Sequence, residues 1–137
     1  MIQVIAGKKG SGKTKRLIDL ANATAHEAVH DVIFLDDDNR YMYDVDHKVR
    51  FINAADYHVR TTDMFIGFLC GILSSNYDVG TVFIDAFLKL SRISSLEEAE
   101  PVISVLVELG DRQNVDFVLS LSADPEELPA FLKQYLI

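Results

Sequence analysis

The stretch Gly7-Lys8-Lys9-Gly10-Ser11-Gly12-Lys13-Thr14 constrains this chain more than any other. It matches G-x-x-x-x-G-K-[ST] in full, and its setting says how it must fold. Before it runs a short apolar segment, Met1–Ala6, which reads as a buried strand bounded by Gly7. After it, Leu17, Ile18, Ala21, Ala25, Ala28 and Val29 fall on one side of a helical wheel. That stripe predicts an amphipathic helix from about Gly12 to His30. A strand-to-helix loop that curls around an anion needs glycines, because its N–H groups must converge without side-chain obstruction. The helix that follows aims its positive end at the same point. On this reading Gly7, Lys8, Lys9, Gly10, Ser11, Gly12, Lys13 and Thr14 cradle the phosphates of a nucleoside triphosphate. Lys13 reaches the β- and γ-phosphate oxygens, and the Thr14 hydroxyl ligates Mg²⁺.

Charge agrees with a local anion site. The net charge is −8, which argues against a nucleic-acid surface or an anionic-membrane surface. Yet Lys8, Lys9, Lys13, Lys15 and Arg16 lie in residues 1–16 with no acid among them, and all 21 acids lie beyond. A composition of 49% hydrophobic residues, with seven Gly and three Pro, excludes disordered and collagen-like chains. One cysteine, Cys70, excludes an internal disulfide framework and a Cys-based zinc cluster. The leading apolar run is too short for a signal peptide, and no run approaches the ~20 residues of a membrane helix. The expectation is one cytoplasmic nucleotide-binding domain over residues 1–137.

The rest of the chain alternates strands and helices. Asp31–Asp36 reads as a strand and Asp36–Asn39 as a turn or loop. His47–Asn53 alternates well enough for an edge or hairpin strand. Thr61 or Thr62 caps a helix to about Ser75, with Asn76–Gly80 a loop after it. Thr81–Asp85 is a β-branched strand ending in an acid. Ser94 or Ser95, with Glu97 and Glu98 behind, opens a helix to about Arg112 that Pro101 can kink. Val115–Leu121 is a further strand, and Pro125 opens a last helix running near to the C-terminus. Short apolar strands without clear alternation suit a parallel sheet covered on both faces. The expected fold is therefore α/β: a three-layer α/β/α sandwich with a mainly parallel sheet.

Asp85 closes the apolar run Val82-Phe83-Ile84, where an acid beside a phosphate loop can hold Mg²⁺ directly or through water. Lys13 and Asp85 are thus the candidate catalytic pair, and Thr14 and Asp85 the candidate metal ligands. A competing motif, His26-Glu27-Ala28-Val29-His30, matches the H-E-x-x-H zinc signature. Its histidines fall opposite the apolar stripe, toward solvent, with no third ligand nearby.

Through residues 7–14 and 81–85 the chain resembles the P-loop NTPases, RecA-like members in particular. More loosely, Tyr43–Arg50, Asp63-Met64-Phe65 and Ser122–Pro129 are similar to small bacterial P-loop proteins labelled twitching-motility ATPases. Motility motors carry a further domain and His- and Asp-box elements that 137 residues cannot hold, so the resemblance implies the superfamily and not that role. It implies ATP and Mg²⁺ as ligands; a protein partner or self-association could complete the activity. In this family a Glu often follows the strand-end Asp and activates water; here Ala86 stands there. Glu97, Glu98, Glu100 or the acidic cluster Asp36–Asp38 could replace it. Ser120 and Ser122, ending the next strand, are candidates for sensing the γ-phosphate. A guanine-reading N-K-x-D pattern is absent. The leading function is a Mg²⁺-dependent, slow ATPase. The alternatives are a non-enzymatic nucleotide switch or binding module and a small phosphotransferase, whose second substrate would meet His47–Arg50 or Arg60.

Overall fold

The computed structural model describes all of residues 1–137. Strands β1 (Ile2–Gly7), β2 (Asp31–Asp36), β3 (Val49–Asn53), β4 (Val79–Ile84) and β5 (Asp116–Ser122) form one sheet in the order β1-β5-β4-β2-β3. Every pairing is parallel. Strand β5 thus stands between β1, which leads into Gly7–Thr14, and β4, which leads into Asp85. The C-terminus adds to the open edge of β1: the Val4 N–H donates to the Tyr135 carbonyl, and the Ile137 N–H to the Val4 carbonyl.

Alternation along the strands splits the core in two. Val32 and Phe34 of β2 pack with Leu17, Ile18, Ala21 and Ala25 of α1 (Lys13–Glu27) on one face. Ile33 and Leu35 point the other way. There they meet α2 (Thr62–Ser75), the short α3 (Phe87–Leu90) and α4 (Ala99–Gln113) through Phe65, Leu69, Phe87 and Leu106. The result is a three-layer α/β/α sandwich with a fully parallel sheet, as expected from the strand pattern. No helix is long and apolar enough to cross a membrane.

The element boundaries depart from the sequence reading in several places, among them β3, which starts at Val49 and not His47, and the unexpected α3. Helix α1 stops at Glu27, because Ala28 turns extended (φ −74°, ψ 143°). Val29 is left fully exposed and off the apolar stripe. The Asp31 N–H is already committed to the Asp78 carbonyl, so the chain must straighten before β2. Strand β4 starts at Val79, two residues before the expected Thr81. Helix α4 begins at Ala99, and the expected cap becomes a turn in which the Ser94 N–H donates to Glu98 Oε2 (3.2 Å). Pro101 then lies in the first turn, where its missing N–H has no intrahelical acceptor to lose, so it does not interrupt the helix. The last helix is broken: Pro125–Glu127 is a 3₁₀ turn and α5 spans only Ala130–Lys133. Pro129 forces Leu128 to an extended ψ of 135°.

Candidate functional site

The segment after β1 is a tight loop at the C-terminal edge of the sheet. Gly10 and Gly12 have φ of 85° and 84°, in the left-handed region that favours glycine. Gly12 is also the N-cap of α1. The Ser11 N–H donates to the Lys8 carbonyl and the Arg16 N–H to that of Gly12. The N–H groups of Gly10, Gly12, Lys13 and Thr14 have no backbone acceptor, so they stand open at the start of α1. Lys13 curls back so that Nζ donates to the Lys8 carbonyl at 3.2 Å.

Two strands away, Asp85 follows β4 and is 5% exposed. The Thr14 hydroxyl donates to it, 3.0 Å from Oδ2 and 3.3 Å from Oδ1. The structure thus brings together residues 71 apart in sequence. Ser120, on the intervening β5, is fully buried: its hydroxyl donates to Asp85 Oδ1 (2.6 Å) and accepts the Ala86 N–H (2.8 Å). Ala86 is held left-handed (φ 49°), a conformation strained for any residue with a Cβ. The expectation that Ser120 senses a phosphate is corrected to that extent, since its hydroxyl is spent on holding Asp85 and the turn behind it. Ser122 remains exposed on the cavity wall. Ser120→Ala should leave Ala86 N–H and Asp85 Oδ1 short of a partner. The expected loss is about 1–3 kcal/mol, or roughly 3–10 °C in Tm, read by thermal unfolding.

The candidate bases separate cleanly. Glu97, Glu98 and Glu100 are exposed at the start of α4 and do not line the cavity over Gly7–Thr14. Asp36 does: it ends β2, the neighbour of β4, and is 3% exposed. Its Oδ1 accepts the Asp37 N–H at 2.8 Å, while its buried Oδ2 has no partner. Burial drives this carboxyl up to about 8, against the pull of that N–H, and the charges of Asp85 and Asp37 add to the rise. Burial would also raise Asp37, but its hydrogen bond and ion pair with Lys89 hold it below the usual carboxylate range. Asp36, Asp37 and Asp38 together bring three carboxylates within 4.8 Å.

The cavity joining these groups measures about 1140 Å³, slightly above the ~1,000 Å³ to which small-molecule sites usually run. It runs from Lys9 and Gly12 past Asp85 and Asp36 to Arg40 and Tyr41 in the β2–β3 connection. Asn22 of α1 fixes that connection, donating to the Asp44 carbonyl (3.0 Å) and accepting the Asp46 N–H (2.7 Å). The other motif does not assemble. His26 is exposed on α1, but His30 lies beyond the helix end, with Nε2 3.0 Å from Thr81 Oγ1. Arg60 and His47 do not line the cavity either.

Sequence reasoning passed over Ser120 as a support and Lys89 altogether. Asp36 had a legible signal: Phe34-Leu35-Asp36 repeats the pattern of Phe83-Ile84-Asp85, an apolar strand closed by an acid.

No family model matches this chain, and no curated protein gives a significant match. Among solved structures it is similar to the crystal structure of the flagellar accessory protein FlaH from Methanocaldococcus jannaschii, with a TM-score of 0.62 and 13% identity. The likeness covers 97% of this chain and 65% of that one, so the chain spans about two-thirds of that protein's length. At this identity the likeness is one of fold.

Proposed function

We propose that this chain, which has the RecA-like fold of the P-loop NTPases, binds ATP with Mg²⁺ over Gly7–Thr14 and hydrolyses it slowly. One observation carries the reading: N–H groups without a backbone acceptor at the start of α1 include that of Thr14, whose hydroxyl meets the Asp85 carboxylate at 3.0 Å. The open N–H groups and the positive end of α1 take phosphate oxygens, with Lys13 exchanging the Lys8 carbonyl for the β- and γ-phosphates. Thr14 and Asp85 supply hard oxygen donors of the kind Mg²⁺ prefers, and Asp36 lines the same cavity. When bound, Mg²⁺ supplies neutralisation of the phosphate charge.

Asp36 is the water-activating carboxylate in this account. As the water oxygen bonds to the γ-phosphorus, the bond to the ADP oxygen breaks, and the water's proton passes to Asp36. A base that keeps its proton to about pH 8 is ionised in only a small fraction of molecules near neutrality. Turnover is therefore expected well below the enzyme median of about 10 s⁻¹. Ala86, standing where a second carboxylate would follow Asp85, favours the alternative of a nucleotide switch. Steady phosphate release separates the two: a switch binds ATP and releases almost none.

Asp85→Asn tests the assignment. An amide keeps the shape but removes the charge facing the cation. Calorimetric titrations of ATP should show Mg²⁺ tightening the wild type and barely affecting the variant, with metal-free affinities alike. Superimposable Mg²⁺ dependences would reduce Asp85 to a partner of Thr14 and Ser120.

A further inference from the structure

The walls of the cavity carry unequal cations. Lys9, Lys13 and Lys15 come from the phosphate-loop side, and Arg40 sits farther along, between Asp38 and the Tyr41 ring. From the other helical layer, across the sheet, comes Lys89 of α3.

Lys89 stands on a fixed base. At one end of α3 the Ala86 N–H is tied to Ser120, which also holds Asp85. At the other end the Arg92 guanidinium donates twice to the Val59 carbonyl (2.9 and 3.2 Å). Phe87 and Leu90 anchor the turn in the core at 0% and 3% exposure. The Lys89 side chain itself is 69% exposed, so its base is rigid and its ammonium is free to swing. Its one partner is Asp37, directly after Asp36 at the end of β2. The ammonium end of this pair is open to water, which weakens its hold, while the Asp37 carboxylate is only 18% exposed. Without nucleotide Lys89 offsets the charge of Asp37 and, at longer range, of Asp38. A γ-phosphate placed by Lys13 and Thr14 offers the ammonium more charge than Asp37 does.

We propose that Lys89 is a further catalytic residue: with nucleotide bound, its ammonium leaves Asp37 for the γ-phosphate and stabilises the charge that develops there as the phosphoryl group transfers. This rests on the ATPase reading. It places within the chain the positive charge that acceleration needs at the transition state. No proton moves to or from Lys89; it acts by charge alone, while the water's proton goes to Asp36.

The test compares wild type, Lys89→Met and Lys89→Arg by calorimetric binding of ADP and of ADP with aluminium fluoride, which mimics the transferring phosphoryl group. Thermal unfolding and phosphate release accompany it. Lys89→Met should weaken ADP–aluminium fluoride binding about 100-fold. It should lower turnover by a similar factor and leave ADP affinity near wild type, with at most a small drop in Tm from the loss of the Asp37 pair. Lys89→Arg should recover most of the loss. Equal weakening of ADP and ADP–aluminium fluoride, or no change in either, would overturn the role while leaving the ATPase reading intact. A wild type that binds neither ligand would overturn both.

Discussion

Lys13→Ala should weaken binding of MgATP by about 100-fold or more and leave the fold intact. In the structure the Lys13 ammonium donates to the Lys8 carbonyl and to nothing else. No buried group loses its partner when the side chain goes, so thermal unfolding should barely move. With nucleotide present the same ammonium is placed to meet two phosphate groups. Hydrogen bonds to charged groups contribute about 1.5–3 kcal/mol each, and each 1.4 kcal/mol is tenfold in affinity. Two such contacts therefore account for at least two powers of ten. A calorimetric titration decides: equal affinities in variant and wild type would mean that Gly7–Thr14 is a glycine-rich turn and no phosphate site.

Asp36→Asn should abolish most hydrolysis, by about 10²–10⁴-fold, because the amide cannot accept water's proton. ATP affinity should change little, since the amide keeps the shape of the carboxyl and adds no charge. The same substitution should stabilise the empty protein, increasingly so as pH rises. The unfolded carboxyl titrates near 3.8 and the folded one near 8. Between those values the unfolded chain has lost the proton that the folded chain keeps. Stability therefore falls as pH rises through this window and levels off above it. The penalty at the plateau is on the order of a few kcal/mol, and asparagine, which does not titrate, is free of it. Melting curves from pH 4 to 9 should show the two proteins converging at the acid end and the variant pulling ahead toward pH 8. Phosphate release by the wild type should rise over the same range. Parallel melting curves, or a variant with full turnover, would remove Asp36 from the mechanism.

What could be read from the chain and what could not divide along a physical line. The Gly7–Thr14 loop, the strand Asp31–Asp36 and the Thr61-capped helix were legible because turn chemistry, apolar periodicity and capping are local. The three-layer sandwich followed from strands alternating with helices. The end of α1 was not legible: residues 27–30 contain neither Gly nor Pro, and the helix stops because β2 must meet Asp78. Pro129, by contrast, encodes the break in the last helix locally, by holding Leu128 extended. The partners of the site depend on strand order, which no local signal carries. Ser120 supports Asp85 because β5 lies beside β4, and Asp36 is buried near Asp85 because β2 lies on its other side. Glu97, Glu98 and Glu100 looked as eligible as Asp36 in one dimension, and the sheet order separates them.

The central claim is that a nucleoside triphosphate and a divalent cation meet where Thr14 and Asp85 meet. Calorimetric titration of the wild-type chain with ATP, with and without Mg²⁺, tests it most directly. The account predicts one nucleotide per chain, bound more tightly with Mg²⁺ than without. An absence of binding at millimolar ATP in the presence of Mg²⁺ would contradict it.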